Sequence, residues 1–156
     1  QVALHGIVST DLIPTFETTG IVADMNAITL LVPPATTDSQ VVALLQYLQK
    51  ARLDNSLETI LPPTTPENKL GEFAIADIYI FSEKQYGGVE SVKALGRGAH
   101  APGEFYPSSI PYEVAMEHVR GHYSIDLHNK NSPEQASLGF GEHATGVYSK
   151  RYQRVF

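Results

Sequence analysis

The chain has 156 residues, an apolar fraction of 42%, a charged fraction of 18% and a net charge of −6. That length is enough to bury a core without disulfide or metal staples. The chain has no cysteine, which excludes disulfides, thiolate metal ligands, iron–sulfur clusters and a cysteine nucleophile.

A chain free of cysteine suits either redox environment. No stretch approaches the roughly 18 apolar residues of a membrane span, and no signal-peptide pattern is visible. The first residue is Gln1 rather than methionine, which reads as a secreted chain or one processed from a larger precursor. No Asn-x-Ser/Thr sequon is present. Charge is unevenly spread. Residues 1–90 hold 11 acidic and 4 basic side chains, whereas residues 91–156 hold 6 and 7. Five of the six histidines also lie in the second part. A polyanion is repelled by the acidic front, so any anion site belongs to the back of the chain.

In chain order, Val2 to Ser9 is a short β-branched run that predicts a first strand containing His5. Thr10 to Gly20 reads as a loop. Ile21 to Val32 is the strongest apolar segment and reads as a strand with a bulge or turn near Asp24–Asn26, stopped by Pro33 and Pro34. The clearest helix follows, over 38–53. Val41, Leu44, Leu45, Leu48 and Ala51 form one apolar stripe. Thr37 or Asp38 is placed to cap it, and Gln46, Gln49, Lys50 and Arg52 to cover its outer face.

Leu61 to Leu70 holds three prolines and no apolar period, and reads as a surface loop or hinge. From Gly71 to Ser82 both alternating faces are largely apolar, which predicts a central strand covered on both sides. Asp77 stands on one of those apolar rows, and a buried carboxylate must find donors or a cation. A turn over 83–88, a short helical segment over 89–95 and an irregular stretch over 96–109 come next. Residues 112–120 read as a second helix, broken at Gly121. The following residues alternate, with Tyr123, Ile125 and Leu127 on one face and His122, Ser124, Asp126 and His128 on the other. Gly139-Phe140-Gly141 reads as a turn, and Val147 to Phe156 as a last strand in which Lys150, Arg151 and Arg154 interleave with Tyr148 and Tyr152.

Three groups of residues could carry chemistry. The spacing of His118, His122 and His128 equals that of the zinc ligands in metzincin proteases. The glutamate base is replaced by Val119 and the turn glycine by Ile125, so that pattern is not met. On strand geometry, Asp126 and His128 lie about 6–7 Å apart. With His122, or with His100 or His143, they make a candidate 2-His-1-carboxylate site for a divalent metal. A metal-free set uses His100, Arg120 and His122 as acid, base and cation, with Arg97, Glu104 and Tyr123 near them in sequence, as a small nuclease- or transferase-like domain would. No phosphate-binding glycine loop and no nucleophile elbow is present.

The reading is an α+β fold, a single domain over 1–156. It has a mainly antiparallel sheet of five or six strands, with the 38–53 helix packed on it and a shorter helix near 112–120. The leading function is a non-enzymatic binding or assembly module, a subunit of a secreted, virion or cell-surface complex. Its partner is a protein or a second copy, and nucleic acid is favoured only at the basic carboxyl-terminal strand. The alternatives are a metal-binding or metal-dependent domain using His122, Asp126 and His128, and the nuclease- or transferase-like domain using His100, Arg120 and His122.

Overall fold

A computed structural model describes residues 13–22, 27–54, 56, 60, 77–88, 91, 92, 95, 112–124, 135–142 and 147–155. Strand β1 (Glu17–Val22) pairs antiparallel with β2 (Ala27–Leu31). The apolar run over 21–32 is therefore not one strand. Its first two residues finish β1, and Ala27–Leu31 within it make β2. The expected loop over 10–20 is also strand from Glu17 onward, because Gly20 does not end it. A register shift between Thr18 and Gly20 lets the Thr19 hydroxyl meet the Thr29 hydroxyl at 2.9 Å and donate to the Gly87 carbonyl, tying β1 to its neighbours.

Helix α1 (Asp38–Leu53) starts where expected. Gln40 N–H donates to the Thr37 hydroxyl and Thr37 N–H donates to the Gln40 side chain, a reciprocal cap that satisfies two amides. All five stripe residues are buried. Arg52, expected on the outer face, is buried too: it lies eleven positions after Val41, three turns along the same row, and its aliphatic stem joins the stripe. Parallel strands need a crossover, and α1 supplies it between β2 and β3 (Asp77–Phe81). Ile78, Tyr79, Ile80 and Phe81 are all buried, as a strand covered on both faces requires. A turn follows, in which Tyr86 N–H donates to the Glu83 carbonyl.

Helix α2 (Tyr112–His118) is shorter than expected, and the chain enters β4 (Val119–Ser124) two residues before Gly121. Strand pairing decides this. Val119 opposes Phe81 and Gly121 opposes Ile80, so Arg120 is the extra residue of a bulge. Gly121 is needed for close approach, since a Cβ there would lie 2.9 Å from Val41 Cγ1 and 3.3 Å from Ile80 Cδ1.

Strand β5 (Gln135–Leu138) pairs with β4 and ends at Gly139, whose φ of 67° only glycine adopts freely. The expected final strand is two strands in different sheets. β6 (Gly141–Glu142) pairs with β7 (Val147–Tyr148), and β8 (Gln153–Arg154) returns to β5. Between β7 and β8 the Tyr152 N–H closes a turn on the Ser149 carbonyl.

The result is α+β, with a six-stranded, mostly antiparallel sheet in the order β1-β2-β3-β4-β5-β8 and a separate two-stranded ribbon, β6-β7. On one face α1 packs over Ile28, Leu30, Ile78, Ile80, Tyr123, Ala136 and Leu138. On the other, Tyr79, Phe81, Val119 and Phe140 pack with Val92, Leu95, Ala115 and Met116. The expected strand over 2–9 lies outside the described residues. No described helix is long and apolar enough to cross a membrane.

Candidate functional site

Alternation along β4 sends Tyr123 under α1 and His122 to the opposite face. There His122 sits in register with Tyr79 of β3 and Ser137 of β5. Asp77 opposes Ser124, one pleat away, so Asp77 and His122 are diagonal neighbours across an antiparallel pair, within reach of each other's side chains. His122 Nε2 lies 2.9 Å from Asp77 Oδ1. The imidazole also stacks on Tyr79, with ring centroids 4.6 Å apart and planes 12° from parallel, and Phe140 lies against it at 5.8 Å. The ring is fixed by one carboxylate and two aromatic walls. Side-chain exposure is 15% for His122 and 31% for Asp77, so the pair is open to a ligand along one side. This face thus has two halves: an apolar half around Phe81 and Met116, and a polar half made by Asp77, His122 and Ser124.

A carboxylate that accepts from one ring nitrogen orients the imidazole and leaves the other nitrogen to act as base, acceptor or metal ligand. Among the described residues, no three histidine, aspartate or glutamate side chains converge on a metal-sized space. Of the sequence-predicted metal set, His122 is placed as above, and Asp126, His128 and His143 lie outside the described residues.

Of the acid–base set, Arg120 and His122 serve different places. Arg120 donates to the Thr36 carbonyl at 2.7 Å, to Asp38 at 3.1 Å and to the Ser82 hydroxyl at 3.2 Å, holding the start of α1 to the sheet. His100, Arg97 and Glu104 lie outside the described residues, and Tyr123 is fully buried beneath α1. His118 stacks on Tyr86 at 4.0 Å, and its Nδ1 donates to the Val114 carbonyl at 2.8 Å, a contact within α2.

Two further surfaces stand out, the first of which the sequence patterns did not locate. β1 is the outermost described strand on its side of the sheet, and Glu17, Thr18, Thr19 and Ile21 along it are exposed. Ile13 and Ile21 are each 42% exposed, among the few large apolar side chains of the described residues left in solvent. Beside the start of β1 is a cleft of about 380 Å³ lined by Thr15, Phe16, Glu17, Leu31, Val32, Pro33, Pro34, Ser82 and Lys84. On the other side of the sheet, the turn before β8 exposes Tyr148, Lys150 and Arg151.

No family model matches the chain, no curated protein matches its sequence, and no solved structure matches its fold.

With Asp77 accepting, the proton of a neutral His122 ring belongs on Nε2. Nitrogen–proton correlation spectra should therefore show the Nε2–H tautomer. In Asp77→Ala the Nε2–H loses this acceptor, and its proton resonance should move upfield toward that of a ring hydrogen-bonded to water; an unmoved resonance would count against the contact.

Proposed function

We propose that this chain is a non-enzymatic binding or assembly module, and that β1 is the edge through which a second copy of the chain joins it. The support for this reading is that, among the described residues, no strand pairs with the outer side of β1. Exposed edges are commonly blunted by lysine, proline or brevity. β1 is six residues long, carries neither lysine nor proline, and presents Ile21 to solvent. The bulge at Thr18–Gly20 and the exposed Glu17 are the devices of that kind on it. Two β1 strands meeting antiparallel across a two-fold axis would satisfy each other's outward amides and carbonyls. They would also cover Ile13 and Ile21 and make one continuous sheet, a self-complementary contact. A module of this kind suits a subunit of a secreted, virion or cell-surface complex.

A second reading is a metal-binding or acid–base centre in which His122, oriented by Asp77, acts with His100, Asp126 or His128. The 2.9 Å contact favours it. Zinc added to the protein then moves the His122 ring nitrogens in the spectrum, and an unchanged ring argues against the metal form.

Self-assembly is tested by sedimentation velocity from micromolar to millimolar protein. The wild type should pass from monomer to dimer, and Ile21→Lys should stay monomeric with an unchanged circular dichroism spectrum. A wild type that is monomeric throughout, or a lysine variant that dimerises equally well, overturns the proposal.

A further inference from the structure

The segment leading into β8 departs from the rest of an acidic chain. Lys150, Arg151 and Arg154 fall within five positions of each other, on a protein of net charge −6, and all three are exposed. Cations alone would be ordinary on an outer strand, where they resist unwanted pairing. The two tyrosines between and beside them have no such explanation.

Tyr148 is 44% exposed, and its ring centroid lies 4.7 Å from that of half-buried Tyr152, with the planes 49° apart. Both rings sit against Gly141, where a Cβ would come within 2.5 Å of Tyr152 Cε1 and 2.7 Å of Tyr148 Cδ1. The absence of a side chain at Gly141 lets both rings come close to the backbone of β6. The turn beneath is pinned as well. Ser149 N–H donates to the Phe140 carbonyl at 2.8 Å, and Phe140 N–H donates to the Ser149 hydroxyl at 2.9 Å. Lys150 N–H donates to the Glu117 carboxylate at 3.3 Å, which ties the turn to α2 and leaves one carboxylate beside it. Burial, and after it the neighbouring Tyr148, pushes the Tyr152 hydroxyl above its usual value, against a lowering by Arg154. The phenol stays neutral and sets no anion against the cations.

A seated aromatic pair flanked by three cations matches the chemistry of an unpaired base joined to its phosphates. Stacking on an aromatic face tolerates any base, and the cations follow the backbone. We propose that the 148–154 turn is a binding surface for single-stranded nucleic acid, with a base on Tyr148 and phosphates on Lys150, Arg151 and Arg154. The surface is on the side of the sheet away from β1, so the inference does not rest on assembly through that edge.

The test is fluorescence anisotropy with labelled oligothymidine and oligouridine at low salt, with a duplex of equal charge and heparin as competitors. Three neutralised phosphates on a single strand give a log–log salt slope of about −2. Tyr148→Ala should weaken binding about tenfold, as expected for one stacked base. Arg151→Glu should abolish it, and both variants should keep the wild-type circular dichroism. Absence of binding at low salt overturns the proposal. So does binding that heparin and duplex match equally and that Tyr148→Ala leaves unchanged, because the patch would then read charge alone.

Discussion

The structure depends on the burial of β3 from both sides. Ile78 and Ile80 go under α1, and Tyr79 and Phe81 go under the second layer. Each such side chain contributes about 1.5–3 kcal/mol on leaving water. No one-residue slip of β3 is neutral, because it would exchange the two packed rows. That fixed register does more than hold the core. Asp77 shares a row with Tyr79 and Phe81, so the register of β3 against β4 brings its carboxylate to His122 and to no other described imidazole. The close contact of Gly121 with Val41 locks the same strand to α1 from the opposite face.

What the sequence could disclose follows from the range of the interactions involved. α1 was legible because its stripe and its cap are local, repeating within four residues. β3 was legible because both of its rows are apolar. Asp77 stood out as the one carboxylate on such a row, but its partner depended on which strand lay beside it and in what register. No local pattern carries that information. Arg120 shows the same limit. Its neighbours in sequence placed it with His122, whereas the bulge at β4 turns its guanidinium to Thr36, Asp38 and Ser82, more than thirty residues away in the chain. Glu17–Gly20 of β1 reads as loop in sequence because Pro14 and Gly20 resemble breakers, and its strand character comes from pairing with β2. The tail was read as one strand because alternation continues through a turn that only the Ser149 and Phe140 contacts reveal.

The two outer described strands differ in kind, and the difference orders the functional reading. β8 is two residues long, and cations and paired tyrosines stand in and before it, a surface suited to a ligand of opposite charge. β1 is longer, has Glu17 as its only charge and is bordered by an apolar cleft, a surface suited to continuation of the sheet. Between them lies the polar half of the sheet face, where an imidazole is held by a carboxylate and two rings. A held imidazole is common to binding and to catalysis. The Arg120 guanidinium is held by the start of α1 and is not directed at that imidazole.

Amide hydrogen exchange, followed strand by strand as protein concentration rises, tests the central claim that β1 is an open edge used for assembly. The account predicts that at low concentration the outward amides of β1 exchange much faster than those of β2, β3 and β4, and that they become protected at high concentration while the rest of the sheet does not change. β1 amides as protected as those of β3 in the most dilute sample, or unprotected at every concentration, would contradict it.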